Sequence, residues 1–537
     1  MLNVVVIKGD FEPSQIGNEQ DETWKIGLLK FDEKGMIVLL KECEFNKKIG
    51  EQCADFAIYP ESVNSTNGCK LFLAKVDGQR QLIIVEQDAA SPCTDFQVSK
   101  TIQVAGKNVN FAPLNHANAV VLRKWFDFTA PVAFGREGMS MGLGDRLGIA
   151  SPGHLRIIKE TGVRPVLAQQ SIRELTLTNR RYEEVLDAAS WAVFQEGYRL
   201  GFGADGDHLK TKAEVQMALD LGFTMITLDC SEKIDNTVMH KTAEQVNDAY
   251  QALPHDYTQR IEKKYLNKTF AVGTSNIAFD KSSLQQIALI YSQALVHIRN
   301  IYIDVVMKVN RAVDFELSID ETMTPTSPQA HFFVAAEMEN SDVVASSVAP
   351  RFCGEFQKGI DYIGDIVQFE EEFAVHAAIA DHFGYRLSIH SGSDKFKVFP
   401  IIGRYTRGRV HVKTAGTNWL EALKTISKVN PVLFRQIYSF SLEHFNEATK
   451  YYHVTTNLNR VPDIQMFADS ELSSLLGQDD VRQMLHITYG LVLNAKDQDG
   501  KLSLREAIYT TLDNNEEDYW LSLQQHIGKH LQTLGAM

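Results

Sequence analysis

The stretch that decides the fold runs from Arg164 to Asp207, "RPVLAQQSIRELTLTNRRYEEVLDAASWAVFQEGYRLGFGADGD". It opens on a compact apolar run, "RPVLAQQS", and closes on another, "GFGADGD". Between them "YEEVLDAASWAVFQEGYRL" repeats apolar residues at helical spacing. Strand, helix and strand, with nearly continuous apolar strands, imply a parallel sheet buried on both faces. The rhythm then continues. "TKAEVQMALDLG" reads as a helix with Thr211 as N-cap and Gly222 as stop, and "FTMITLDCS" as the next strand. "FELSIDET", "VVASSVAPRF", "RLSIHSGSD" and "RVHVKTAG" follow in the same register. Seven or eight such units predict an α/β fold, a (β/α)8 TIM-like barrel. A doubly wound open sheet is the alternative, because strand order alone does not show closure.

Outward from this region the pattern changes. Residues 1–125 read as a β-rich N-terminal domain, from "NVVVIKG", "TWKIGLLKF", "GMIVLL" and "KLFLAKVDGQRQLIIVE". In the last of these, Asp77-Gly78 between two apolar runs marks a hairpin. Residues 126–425 carry the (β/α) barrel catalytic domain, interrupted at 232–314 by a helical insertion. Residues 426–537 return to helix, rich in Leu and aromatics, as a C-terminal helical subdomain.

Composition removes several function classes. The 54 basic and 68 acidic residues give a formal charge of −14, which argues against nucleic-acid binding, since that needs clustered Lys and Arg. A cleft can still concentrate a few cations on a small anion. No apolar run approaches membrane-spanning length, so no membrane partner is expected. "MLNVVVIKGDFEPSQ" lacks the pattern of a signal peptide. The six cysteines, at 43, 53, 69, 93, 230 and 353, form no CxxC pair. Both features predict reduced thiols and a cytoplasmic protein.

The chemistry-bearing residues fall at the C-terminal ends of the predicted strands, where parallel barrels place catalysis. They include Asp205, Asp207, His208, Asp229, Asp320, Glu321, Arg351, His390, His411 and Lys413. Any one of them is as well explained by helix capping or a satisfied turn; the recurrence over several strands is not. His208 and His390 follow apolar runs, and neutral imidazoles with carboxylates make a mixed N/O site for Mn, Fe, Co, Ni or Zn. Glu355, in "APRFCGEF", is a third candidate ligand. Successive strand residues face opposite ways, so Asp207 and His208 share a site only if the chain turns, and Gly206 is the residue expected to permit it. Two other motifs fail. "AKDQDGKLSLRE" begins with Ala495 where a calcium loop needs a carboxylate, and "GMSMGLGDRLG" lacks phosphate-loop spacing, though its glycines could present N–H groups to an anion.

Longer strings carry a resemblance. "GLGDRLGIASPGHLR", "RPVLAQQSIRELT", "VFQEGYRLGFGADGDHLKT", "SIDETMTPTSPQAHFF", "APRFCGEFQKGIDYIGD", "LSIHSGSDKF" and "HVKTAGTNWLEAL" together resemble the bacterial tagaturonate epimerase family (tagaturonate/fructuronate epimerase) over residues 125–430. "DGD" stands where "DAD" is expected. The resemblance implies a divalent-metal-dependent epimerase of hexuronate catabolism. Carried over by motif, Asp207 is the proton acceptor and His208, Glu355 and His390 are the metal ligands. The proton donor falls in "ELSIDET" and is assigned to Glu321, with Asp320 and Glu316 as alternatives.

The two ketouronates differ at a carbinol carbon β to the ketone, whose proton that carbonyl does not acidify. Retro-aldol cleavage, rotation of the aldehyde half and re-addition would invert it, with a metal as Lewis acid. An anionic sugar acid also calls for cations, and Lys210, Arg351, Lys395 and Lys413 are the candidates, each with a structural ion pair as its alternative role. The expected partner is therefore a small sugar acid; a homo-oligomer stays open. A metal-dependent sugar-acid aldolase or lyase, and a non-catalytic sugar-acid binding protein, are the competing functions.

Overall fold

The computed structural model describes residues 56–66, 68–86, 94–320 and 322–537. They fall into two compact units, the described residues up to 126 with 194–197, and those from 127 to 193 with 198 to 537. The N-terminal runs "NVVVIKG", "TWKIGLLKF" and "GMIVLL" lie outside the described residues.

In the first unit an antiparallel sheet orders its strands Phe56–Ile58, Cys69–Val76, Gln79–Glu86, Lys107–Pro113 and Lys100–Val104, with Asn64–Thr66 paired to the second. The expected hairpin is present. Val76 pairs with Gln79, and Asp77 and Gly78 both take positive φ, 49° and 77°, as a two-residue turn matched to strand twist requires. Phe72, Ile83, Val85, Val109 and Phe111 form the core beneath. Cys69 is disulfide-bonded, against the expectation of free thiols; the four N-terminal cysteines lie close in sequence. Cys230 and Cys353 are free and buried.

The second unit is built on a closed barrel of eight parallel strands. They are β1 (Ser140–Gly142), β2 (Arg164–Ser171), β3 (Gly203–Leu209), β4 (Met225–Asp229), β5 (Asp314–Ile319), β6 (Ser347–Pro350), β7 (Arg386–Ile389) and β8 (Val410–Lys413). β8 pairs with β1, His411 opposite Ser140, and this closes the ring and removes the open-sheet alternative. β1 lies inside "GMSMGLGDRLG": three residues, one of them glycine, are too short for a periodic signal, and in the turn that follows Asp145 accepts from the N–H groups of Leu147, Gly148 and Ala150. Helices follow most strands, among them α1 (Ser151–Ile158), α2 (Lys212–Asp220) and α3 (Thr417–Val429). Thr211 caps α2 in a full capping box with Glu214, as its sequence indicates.

Between β4 and β5 the chain adds helices Ala243–Gln251, His255–Tyr265 and Lys281–Asp304, together with a hairpin, Lys268–Val272 and Ser275–Phe279. The hairpin was not legible beside the longer helical pattern. The C-terminal helices, including α4 (Asp479–Ile487) and α5 (Glu516–Thr533), belong to the same compact unit as the barrel. Gly153 on α1 lets α5 approach closely, because a Cβ there would come 2.9 Å from Trp520 Cα. No helix among the described residues is long and apolar enough to cross a membrane.

Candidate active site

The strand ends open on a cavity of about 440 Å3, within the range that holds a small ligand. Its shape depends on an irregularity in β3. Ile226 of β4 pairs with Gly206, but Leu228 pairs with Leu209, so β3 carries one extra residue. That bulge falls at Asp207 and His208, and bulges re-aim side chains in this way. The turn is made by His208 itself, at φ 56°, a left-handed conformation that costs a non-glycine residue about 1–2 kcal/mol. Gly206 stays in the strand, and its role differs from the one expected. A Cβ there would stand 2.8 Å from Leu209 Cδ1 and 3.1 Å from Ala218 Cβ, so glycine is required by the packing of α2.

At the cavity floor Lys413 extends its ammonium to Asp207 Oδ1 at 2.6 Å and to Asp205 Oδ2 and Glu316 Oε1, each at 2.9 Å. Thr227 Oγ1 bridges the same groups, donating to Asp205 and Glu316. His390 contacts Asp320 through Nδ1 at 3.0 Å and Glu316 through Nε2 at 2.9 Å. His208 Nδ1 meets Asp207 Oδ1 at 2.8 Å, and the two imidazole rings stand 4.8 Å apart. Burial opposes ionisation of Asp207 and Glu316, but His208 and Lys413 around the first, and Lys413 and His390 around the second, hold both well below the usual carboxylate range. Asp320 is lowered too, chiefly by His390 against burial. Asp205 goes the other way, pushed up to about 6 by burial and by its carboxylate neighbours. Asp320 overcomes burial to raise His390 to about 10, and Asp207 raises His208. His411 is pulled down to about 3 by burial and sits as a neutral ring 2.8 Å from Ser140 Oγ.

Donor chemistry tests whether a cation fits. One ligand atom from each of His208, Asp320 and His390 lies within 4.8 Å of the others. Four carboxylates (Asp205, Asp207, Glu316 and Asp320) face a single fixed ammonium, Lys413. Protons on two adjacent imidazoles otherwise supply the missing positive charge, and a divalent ion between the rings would replace both. These residues fit a metal of the N/O-preferring kind.

Of the residues expected from the sequence, Asp207, His208, Lys210, His390 and Lys413 line the cavity. Glu355 does not join the imidazoles. Its backbone bridges to Ile363, Tyr362 packs under Gly354, and the segment so closed on itself turns the carboxylate outward, 45% exposed and 3.9 Å from His453. The third carboxylate or imidazole atom gathered with the two rings belongs to Asp320. Glu321 lies outside the described residues. Of its alternatives, Glu316 is buried below the cavity and Asp320 is held as an ion by His390. Arg351 is directed to the Thr322 carbonyl. Lys395 is buried, with all three N–H groups donated to the carbonyls of Gln357, Ile360 and Ser393 at 2.6–2.9 Å. The sequence reading missed Arg173 and Lys358 on the cavity wall. A cation close after a strand end was the available signal, in "SIRELT" and "FCGEFQKG".

A closed parallel barrel with ionised carboxylates, imidazoles and a lysine converging at its strand ends is the build of a barrel enzyme. A family model for tagaturonate epimerase matches residues 59–534. The chain is 42% identical over 480 residues to the tagaturonate/fructuronate epimerase of Thermotoga maritima, covering 89% of this chain and 97% of that one. The native crystal structure of fructuronate-tagaturonate epimerase from Cohnella laeviribosi superposes with a TM-score of 0.87 at 51% identity, over 91% of this chain and 99% of that one. A glycerol complex of the same enzyme gives 0.87 at 50% identity, over 92% and 99%. The chain belongs to the tagaturonate epimerase family and, with it, to the isomerases that act on sugar acids.

Proposed function

We propose that the chain interconverts D-tagaturonate and D-fructuronate in hexuronate catabolism, using a divalent metal held by His208, Asp320 and His390, through retro-aldol cleavage and re-addition. The observation that carries this reading is the trio of ligand atoms gathered within 4.8 Å at the mouth of an acid-rich barrel. A metal there would supply Lewis acidity to the ketone and hydroxyl oxygens. Asp207, ionised and steered by Lys413 and His208, takes the proton of the hydroxyl on the inverted carbon. The O–H pair becomes the aldehyde π bond, the carbon–carbon bond pair becomes the C=C bond of an enediolate, and the ketone π pair passes to the ketone oxygen. The aldehyde half turns, the bond re-forms on its other face, and a proton returns to the new hydroxyl oxygen. We assign that return to Glu321, since Asp320 and Glu316 are both held as ions.

The test is conversion of tagaturonate by the purified protein after EDTA treatment and after add-back of single metals. Activity lost and then restored, with no solvent deuterium at the inverted carbon, is expected. Full activity in a protein shown metal-free by elemental analysis overturns the metal, and deuterium at that carbon overturns the retro-aldol route. Accumulation of free three-carbon fragments in place of the epimer would identify an aldolase instead.

A further inference from the structure

The sugar acid of the proposed reaction carries a carboxylate, and the four cations expected from the sequence are already engaged. Lys413 serves three carboxylates, Lys395 is enclosed by carbonyls, Arg351 bonds the Thr322 carbonyl and is not among the residues lining the cavity, and Lys210 pairs with Asp229 and Glu232. Two further cations line the same cavity, Lys358 and Arg173. Among the described residues, Lys358 Nζ has neither a hydrogen bond nor an ion pair. The acid that acts on it most, Glu174, is paired with Arg146, whose Nε and Nη2 reach one carboxylate oxygen at 3.0 and 2.7 Å. Arg173 lies over the Tyr452 ring at 5.0 Å and, among the described residues, makes one long bond, 3.5 Å, to the Tyr451 carbonyl, which leaves most of its N–H groups unspent there.

The surroundings register the imbalance. Burial, and then the guanidinium groups of Arg146 and Arg173, outweigh Glu174 and pull the Lys358 ammonium below its ordinary value. His486 stands behind Gly416, a residue of the cavity wall, so close that a Cβ on Gly416 would collide with its ring. Burial and the charges of Arg146 and Lys358 suppress its protonation, and both ring nitrogens lack a partner. The loop that presents Lys358 is fixed on each side, because Lys395 grips the carbonyls of Gln357 and Ile360. A fixed, uncompensated positive wall is what an anionic ligand group requires.

We infer that Lys358 and Arg173 are the receptor for the substrate carboxylate and set the enzyme's preference for sugar acids over neutral sugars. This rests on the proposed function for the identity of the substrate, while the receptor can be read by binding alone. The experiment measures kcat and KM with tagaturonate, and inhibition constants for a six-carbon aldonate and its neutral alditol, in wild type, Lys358→Met, Lys358→Arg and Arg173→Met. Loss of a charge-assisted bond is expected to raise KM and the aldonate constant together by about tenfold or more, with the alditol constant unmoved and Lys358→Arg restoring most of the difference. Arg173 is exposed, so its variant carries the test if Lys358→Met fails to fold. Aldonate and alditol constants that shift together, or an aldonate constant that does not shift, overturn the receptor. A wild type that discriminates aldonate from alditol but leaves tagaturonate unconverted overturns the proposed function and leaves the receptor standing.

Discussion

Replacing Lys413 with methionine removes the ammonium that Asp205, Asp207 and Glu316 share while nearly preserving its volume. The ammonium lies 2.6–2.9 Å from Asp205, Asp207 and Glu316, and all four side chains are almost fully buried. Breaking a buried pair by deleting one partner costs about 3–5 kcal/mol, because the other charge is left uncompensated. Asp205 limits the loss. Already near 6 with the lysine present, its carboxyl rises further without it and takes up a proton at neutral pH. A carboxyl whose folded value lies above its unfolded one stabilises the fold at low pH, and that stability is lost as pH rises through the folded value. The variant's deficit therefore deepens by about 1.4 kcal/mol per pH unit from about 6 up to the new value of Asp205. Urea unfolding followed by tryptophan fluorescence at pH 6, 7.5 and 9 reads this directly. Lys413→Met/Asp205→Asn should recover part of the loss and flatten its pH dependence. A deficit below about 1 kcal/mol, or one independent of pH, would refute the electrostatic account of the floor.

Asp320→Asn should weaken divalent-metal affinity by about tenfold or more, measured by titration calorimetry, whereas Glu355→Gln should leave it unchanged; the reverse pattern would restore Glu355 as the ligand. Gly206→Ala should lower stability by about 1–3 kcal/mol through crowding against Leu209 and Ala218, read as a fall in Tm. Lys395→Met leaves three buried carbonyls without donors and should cost about 3 kcal/mol or more, with a rise in KM because the Lys358 loop is no longer held.

The barrel was legible because each long strand is an apolar run of definite length ending in polar residues. β1 was not, since "SMG" derives its pairing from β2 and β8 rather than from its own pattern. At the site, His208 and His390 could be singled out because strand ends converge. What a linear reading cannot give is the direction in which a loop side chain points. Glu355 and Asp320 both sit just past strand ends, yet the Glu355–Ile363 bridge sends one outward while Ser318 and His390 hold the other in. The same limit explains Gly206, whose glycine meets a packing demand from Ala218, twelve residues away in sequence. Lys358 was missed because its position depends on Lys395, which reaches it only through the folded loops.

The Lys395 ammonium also bears on how this enzyme can change. Barrel enzymes diversify loop by loop on a constant scaffold, but here the segment after β6 and the segment after β7 are tied through one buried lysine. One segment carries Lys358 and the other follows directly from His390. Exchanging either alone would strand the lysine or the carbonyls it serves. The two behave as a single heritable part, and grafts from other barrels that move both together should keep the site assembled where single-loop grafts lose it.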